Sequence, residues 1–213
     1  MNKEVRETLI AQFEEILDCL VANYNFDKVI FSNKYSDISE WERYYSRDTK
    51  NIGVEVTYGC TKIVVIPNEG EWVLKVPINY EKEDFCKIEV ENYKKAKRND
   101  LGDFFCEAHF LMNYYNAPCY IMRRAQVDES NLFSDVRRYM SSEGFTEEEI
   151  EDKMYDLDDD DILYDFFCSY YQVDFVDKLM SFLSKEKIND IHSENMGYYG
   201  DRPIIFDYSG YFS

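Results

Sequence analysis

The residues best suited to chemistry lie near the end of the chain, in the run I-N-D-I-H-S-E-N-M-G-Y-Y-G-D-R-P-I-I-F-D-Y-S-G-Y over residues 188–211. Asp190 and Asn195 belong to one predicted loop, and Asp207 directly follows a short apolar strand predicted at residues 204–206. Two carboxylates and an amide oxygen are the hard oxygen donors that Mg²⁺ binds, and Mg²⁺ also leaves room for substrate phosphates. If these side chains converge, they form a cation site with a carboxylate base beside it. If they do not converge, they are polar loop residues that cap turns.

The pattern D-x-H-x-x-N, followed by an apolar strand and D-Y-S-G, resembles the catalytic loop and metal-binding turn of the protein-kinase-like fold. The closer likeness is to its small-molecule phosphotransferases, of the aminoglycoside and choline kinase type. The resemblance implies that Asp190 is the catalytic base, that Asn195 holds Mg²⁺, and that Asp207 is the main metal ligand. The chain departs from the family at Ile188 and Asn189, before the base, and at Tyr208, where Phe is common. Only six residues follow Asp207, so the likeness implies a truncated, minimal member with a reduced large lobe.

The spacing of hydrophobic residues changes from helical to alternating at Ile52, which predicts a sheet. We expect five antiparallel strands within residues 52–124, at residues 54–58, 62–66, 72–76, 104–114 and 118–124. A helix over roughly residues 83–97 is predicted between the third and fourth strands. This order of elements resembles the small lobe of the same fold.

The small-lobe likeness assigns an ion pair. In the run V-L-K-V, Lys75 matches the third-strand lysine that contacts the α- and β-phosphates of ATP. Glu89 on the following helix matches its partner, with Glu91 as the alternative. We favour Glu89 because Cys86 and Val90 place its side of the helix inward.

The nucleotide loop and the hinge follow from the same likeness. Gly59 stands where a glycine-rich loop covers the phosphates, so the cradle of backbone N–H groups is short. Lys62 either adds positive charge at that loop or faces solvent. Residues 122–126 match the hinge whose backbone meets adenine, which places Met122 and Arg124 among the nucleotide-binding residues.

Helical spacing predicts further helices at residues 3–24, 37–45 and 162–183, the last of them buried beneath the catalytic loop. The first either packs on its own domain or provides a surface for a protein partner or self-association. Thr146 begins a short helix with capping-box chemistry. The carboxylate run at 156–161 predicts a solvated loop rather than a Ca²⁺ site, because it lacks the Gly and terminal Glu of an EF-hand.

Composition limits the class of protein. The 213 residues are 45% hydrophobic and 31% charged, which is typical of a folded globular protein. The net charge of −19 argues against binding to nucleic acid, whose phosphates it would repel. The sequence contains neither a membrane-spanning apolar run nor a secretory signal, and its six dispersed cysteines indicate reduced thiols in the cytoplasm.

Together these observations predict an α+β, kinase-like, two-lobed fold. The expected parts are an N-terminal helical extension (1–49), a small lobe (50–127) and a reduced, helical large lobe (128–213). The predicted function is an ATP- and Mg²⁺-dependent phosphotransferase acting on a hydroxyl of a small-molecule or protein acceptor. The alternative is a catalytically inert kinase-like module that binds a nucleotide or a protein and acts through a partner, which the short glycine loop favours. An acidic mimic of nucleic acid is disfavoured by the order of the site residues along the chain.

Overall fold

A computed structural model describes residues 1–30, 35–78, 84–127, 129–153, 162–191 and 195–209 of the chain. The chain divides into two compact units, the first formed by Met1–Val90 with Ala108–Arg124 and the second by Glu91–Glu107 with Ala125–Ser213. This grouping differs from the expected boundaries at residues 50 and 128. The N-terminal helices and the sheet belong to one unit because they share one apolar core.

The first unit contains a five-stranded antiparallel sheet, so the predicted sheet and the α+β class are confirmed. Its helices are α1 (Lys3–Tyr24), α2 (Asp27–Ile30) and α3 (Tyr35–Asn51). Its strands are β1 (Val54–Tyr58), β2 (Lys62–Pro67), β3 (Trp72–Pro77), β4 (Ala108–Tyr114) and β5 (Ala117–Arg123), hydrogen-bonded in the order β1-β2-β3-β5-β4. The helix α4 (Phe85–Arg98) begins in the first unit and continues into the second.

The two faces of the sheet differ because successive side chains of a strand point to opposite sides. Ile63, Val65, Leu74 and Val76 lie on one face and are buried in a core with the first three helices. Within α1, the inward stripe consists of Leu9, Phe13, Leu17 and Leu20, all of them buried. The predicted helix over residues 3–24 is confirmed, and its apolar stripe is used for packing inside this unit.

Helix α3 is longer than the predicted span of residues 37–45. It runs from Tyr35 to Asn51 because its inward face continues past that span. Ile38 and Trp41 are buried, Tyr45 is partly buried against the same core, and Thr49 one turn further on is buried as well. A threonine on the inward face is not counted as apolar, which is why the sequence pattern stopped short.

The fourth strand starts later than the prediction of residues 104–114, which is wrong at its beginning. Gly102–Phe104 forms a 3-10 turn, and β4 begins at Ala108. Between them, Phe105 forms a bridge with Ile205, and the N–H of Cys106 donates to the carbonyl of Ile205 at 2.9 Å. These backbone groups are satisfied in the second unit, so they do not extend the sheet.

The second unit combines helices with a small hairpin. Its further helices are α5 (Glu129–Ser142), α6 (Glu147–Lys153), α7 (Ile162–Cys168) and α8 (Val173–Glu186), and its strands are β6 (Met196–Tyr199) and β7 (Arg202–Ile205). The predicted capping box before α6 is confirmed, since the N–H of Glu149 donates to Thr146 Oγ1 and the N–H of Thr146 donates to the Glu149 carboxylate. The acidic run at 156–161 lies outside the described residues.

The single helix predicted over residues 162–183 is instead two, α7 and α8. Gln172, just before α8, has extended backbone angles (φ −67°, ψ 139°), which ends the helical run. The break directs Tyr171 onto Phe104, with ring centroids 4.3 Å apart, and its hydroxyl donates to the carbonyl of Pro203 at 2.8 Å. Apolar periodicity persists across the break because both helices bury one face, so periodicity alone does not reveal it.

Two further features concern membrane-spanning helices and cysteines. Within the described residues, no helix combines the length and apolar character required to span a bilayer. All six cysteines lie in the described part of the chain and none forms a disulfide; Cys86, Cys106 and Cys119 are buried, whereas Cys60 is exposed.

Close packing at Gly197 in β6 gives a first testable prediction. An added Cβ there would lie 2.9 Å from the Cβ of Ala125 and 3.0 Å from the carbonyl oxygen of Gln126. Gln126 and Tyr198 exchange two backbone hydrogen bonds, of 2.8 and 2.9 Å, which hold the two segments together. We expect Gly197→Ala to lower the free energy of unfolding by about 1–3 kcal/mol, measured by urea denaturation followed by circular dichroism.

Gly59→Ala is the matched control for this prediction. Within the described part of the chain, no heavy atom lies within 4 Å of a Cβ added at Gly59. Its free energy of unfolding should stay within about 0.5 kcal/mol of that of the wild type. Equal losses for the two variants would show that contact with Ala125 and Gln126 is not the cause.

Candidate functional site

The first group of candidate residues lies on the sheet face opposite the apolar core. Lys75 in β3 is paired across the sheet with Val64 and Tyr120. Its ammonium Nζ lies 3.0 and 3.1 Å from the two carboxylate oxygens of Glu89 on α4. The predicted ion pair between Lys75 and Glu89 is therefore confirmed, whereas Glu91 is exposed.

Lys62 joins the same pair, so the interpretation that it faces solvent is wrong. Its Nζ lies 2.7 Å from Glu89 Oε1, and the side chain is buried. The strand pattern contains the reason: Lys62 and Val64 are two residues apart in β2, so they share a face, and Val64 is paired with Lys75. Beside this cluster, burial raises the pKa of the Cys86 thiol well above its ordinary value, and the charge of Glu89 raises it further.

The start of α4 is fixed by two residues that the sequence interpretation missed. Asp84 Oδ1 accepts a hydrogen bond from the N–H of Lys87 at 2.9 Å, which caps the helix. The hydroxyl of Tyr120 donates to Asp84 Oδ2 at 2.5 Å. Burial raises the pKa of Tyr120 far above its ordinary value, and the bond to Asp84 raises it further, so this phenol stays protonated. Because Tyr120 is the cross-strand neighbour of Lys75, its bond to Asp84 places the helix that carries Glu89 beside Lys75.

The other predicted nucleotide residues occupy different parts of the same sheet. Gly59 closes the β1–β2 turn, where its N–H donates to the carbonyl of Lys62 at 2.9 Å. Met122 is buried in β5 opposite Val73. Arg124 Nη1 donates to the carbonyl of Pro67 at 2.9 Å, so this guanidinium fastens the loop between β2 and β3. Of these residues, Lys62 therefore lies with Lys75 and Glu89, whereas Arg124 contacts the end of β2 at Pro67.

The second group of candidate residues is assembled around Asn195 in the second unit. Its side-chain nitrogen Nδ2 donates to the backbone carbonyl of Asp190 at 2.8 Å and to Asp190 Oδ2 at 3.3 Å. Both partners are oxygen acceptors, so the amide nitrogen must face Asp190 and the amide oxygen Oδ1 must point away from it. Asn195 itself is buried, while Asp190 is half-buried.

The hairpin of β6 and β7 explains why Asp207 comes back to Asn195. Met196 is paired with Ile205, so the next residues outward, Asn195 and Phe206, meet at the open end of the hairpin. The carbonyl of Asn195 accepts the N–H of Phe206 at 2.9 Å and the N–H of Asp207 at 3.4 Å. The predicted strand at 204–206 is wrong at its end, because β7 stops at Ile205 and Phe206 belongs to this junction.

The turn that carries Asp207 is fixed by buried contacts of its neighbours. Tyr208 is fully buried, and its hydroxyl donates to the carbonyl of Cys106 at 2.6 Å. The side-chain amide of Asn92 donates to the carbonyl of Tyr208 at 3.0 Å, and Ser209 Oγ lies 3.3 Å from Asp207 Oδ1. The hydroxyl of Tyr208 satisfies the buried carbonyl of Cys106, which a phenylalanine at this position could not do. Sequence reasoning did not identify Asn92, although it follows Glu89 on the inward face of α4.

The donors in this second group fit Mg²⁺ in kind. Asn195 Oδ1 and the Asp207 carboxylate are hard oxygen ligands, and a site with few protein ligands leaves positions for phosphates and water. Among the described residues, no group of three or more His, Cys, Asp or Glu side chains could hold a metal ion. The set formed by Asp190, Asn195 and Asp207 is a different arrangement, with two carboxylates and one amide. Residues 192–194, which include His192 of the sequence motif, lie outside the described part of the chain.

Comparison with known proteins adds no identity to this geometry. No family model, curated protein or solved structure matches the chain.

Proposed function

We propose that this protein is an ATP- and Mg²⁺-dependent phosphotransferase of the protein-kinase-like type, acting on a hydroxyl of a small-molecule or protein acceptor. The observation that carries the proposal is the double role of Asn195. Its side chain is hydrogen-bonded to Asp190, and its backbone carbonyl accepts the N–H groups of Phe206 and Asp207. A candidate base and a candidate metal ligand, separated by 17 positions in the sequence, are thereby joined through one residue.

Asp190 is the proposed general base. The amide nitrogen of Asn195 is hydrogen-bonded to both its backbone and its carboxylate, which limits the rotation of the carboxylate. A carboxylate held in one orientation can accept the proton of an acceptor hydroxyl as that hydroxyl attacks the terminal phosphate. Catalysis of phosphoryl transfer consists mainly of such positioning, together with stabilisation of charge.

Asp207 and Asn195 are the proposed metal-binding residues. Asp207 supplies a carboxylate that is held in place by the neighbouring buried Tyr208, and Asn195 supplies its amide oxygen. Bound Mg²⁺ would neutralise part of the phosphate charge and hold the phosphates in place. This neutralisation has a large effect here, because a chain with a net charge of −19 repels a nucleotide that carries about four negative charges.

Lys75 is the proposed contact to the α- and β-phosphates. Glu89 holds its ammonium in a fixed, buried position, which reduces the entropy lost when the ammonium binds a phosphate. Both residues of this ion pair belong to the first unit.

The direct test of this function is ADP formation from ATP. We expect the purified protein to form ADP in the presence of Mg²⁺, with water as a slow acceptor, and to form none when the metal is removed with a chelator. Binding of Mg·ATP without ADP formation would instead support the inert, partner-dependent module. The absence of both binding and ADP formation would overturn both functions.

A further inference from the structure

We propose that Lys62 and Lys75 act as a pair of phosphate-binding lysines held ready on one carboxylate, that of Glu89. In this arrangement two side-chain ammonium groups bind the triphosphate, where the short turn at Gly59 supplies few backbone N–H groups. The inference rests on the proposed function and extends it, because it assigns the second lysine and makes the number of phosphates the basis of recognition.

The distances place the two ammonium groups side by side. Lys62 Nζ lies 2.7 Å and Lys75 Nζ lies 3.0 Å from the same atom, Glu89 Oε1. The two nitrogens are therefore separated by no more than two hydrogen-bond lengths. Only 4% of Lys62, 5% of Lys75 and 1% of Glu89 is exposed, so the three groups interact with little screening by solvent. Two like charges this close are stable only with an anion beside them, and an anionic ligand adds to the stabilisation that Glu89 provides.

The fold positions Lys62 at the base of the candidate phosphate loop. It is the first residue of β2, and its carbonyl accepts the N–H of Gly59 to close the turn between β1 and β2. Among the residues that the structure describes, no heavy atom lies within 4 Å of a Cβ added at Gly59. Lys62 therefore links the loop to the cluster formed by Lys75 and Glu89.

The chemistry of the two side chains suits a chain of phosphates. Each lysine is a compact ammonium with three donors on a flexible four-carbon stem, so it can bind Glu89 and a phosphate oxygen together. Neighbouring phosphates of a triphosphate present oxygens close enough for two adjacent ammonium groups. A nucleoside monophosphate lacks the second and third phosphates, so two lysines should distinguish ATP from AMP more strongly than one.

The competing role for Lys62 is purely structural, as a group that neutralises Glu89. If Lys62 is structural, its substitution should lower the affinities for ATP and AMP to the same extent. If Lys62 binds phosphate, its substitution should lower the affinity for ATP more than the affinity for AMP. The test is calorimetric titration of ATP and AMP, in the presence of Mg²⁺, into the wild type, Lys62→Met and Lys75→Met. We expect each variant to lose about tenfold in affinity for ATP, the usual scale for a hydrogen bond to a charged group, and much less for AMP.

Two further variants keep the test decisive. Lys62→Arg retains the charge and should restore most of the preference for ATP. Lys87→Met, at an exposed position of the same helix as Glu89, should leave both affinities unchanged. Trp41 and Trp72 are the only tryptophans and both lie in the first unit, so their fluorescence shows directly whether that unit remains folded in each variant.

The outcomes separate this inference from the proposed function. Equal losses for ATP and AMP in Lys62→Met, or no loss for either, would overturn the lysine pair. If the wild type forms ADP and Lys62→Met binds ATP with wild-type affinity, the lysine pair is overturned and the proposed function stands. Lysine-dependent ATP binding without any ADP formation would overturn the transfer reaction and leave the pair in place. A wild type that binds neither nucleotide would overturn both.

Discussion

Replacing Asp190 with asparagine is expected to lower ADP formation from Mg·ATP by about 10²–10⁴-fold while leaving the affinity for Mg·ATP nearly unchanged. The change preserves the size of the side chain and leaves an amide oxygen that can still accept a hydrogen bond from Asn195 Nδ2. It removes the negative charge and the ability to accept a proton from an attacking hydroxyl. Turnover should therefore fall much more than binding, as measured by coupled ADP detection and by calorimetry on the same preparation.

Asp201→Asn provides the control for the Asp190 variant. Asp201 is exposed in the turn of the β6–β7 hairpin, within the same unit, and the substitution makes the same chemical change. Its ADP formation should match that of the wild type. Wild-type turnover in Asp190→Asn would rule out Asp190 as the base. Equal losses of ADP formation in the two variants would mean that the change in net charge, and not the position of Asp190, lowers turnover.

Removing Glu89 is expected to cost the first unit about 3–5 kcal/mol of stability, the range measured when one partner of a buried ion pair is deleted. In Glu89→Ala, the ammonium groups of Lys62 and Lys75 lose the carboxylate that both contact at 2.7–3.1 Å. They remain close together in a region with little solvent to screen their repulsion. Urea denaturation followed by the fluorescence of Trp41 and Trp72 measures this unit specifically.

Glu91→Ala is the matched control for Glu89→Ala. The two glutamates are two residues apart on α4, but Glu91 is exposed. Its substitution should change the free energy of unfolding by no more than about 0.5 kcal/mol. A loss of less than about 1 kcal/mol in Glu89→Ala would mean that the buried cluster contributes little to folding.

Much of the first unit could be predicted because its signals are local. The alternation in β1 to β3 and the helical stripe of α1 each follow from burial of one face, and that rule can be read from a few consecutive residues. The same rule selected Glu89 over Glu91, because Cys86 and Val90 on the same side of α4 are apolar, and both are buried. In contrast, a lysine at the start of β2 has no local signal that separates a buried partner of Glu89 from a surface charge.

The contacts that sequence reasoning missed depend on distant pairings. Tyr120 meets Asp84 only because β5 lies next to β3 in the sheet, and Asn92 meets the carbonyl of Tyr208 across 116 positions of the chain. The start of β4 was misplaced for the same reason, since Phe105 pairs with Ile205. The candidate loop around Asn195 was identified from residue types and their spacing, but its geometry required the register of the β6–β7 hairpin.

The central claim is that Asp207 and Asn195 bind a metal–nucleotide complex, and thermal melting in the presence of ATP tests it most directly. With ATP at 100 times its dissociation constant and Mg²⁺ present, bound nucleotide should stabilise the wild type by about 2.7 kcal/mol, and the shift should shrink when the metal is chelated. Asp207→Ala should lose the metal-dependent part of the shift. A wild type that shows no shift with saturating Mg·ATP or Mg·GTP, or an Asp207→Ala variant whose Mg²⁺-dependent shift equals that of the wild type, would contradict the account.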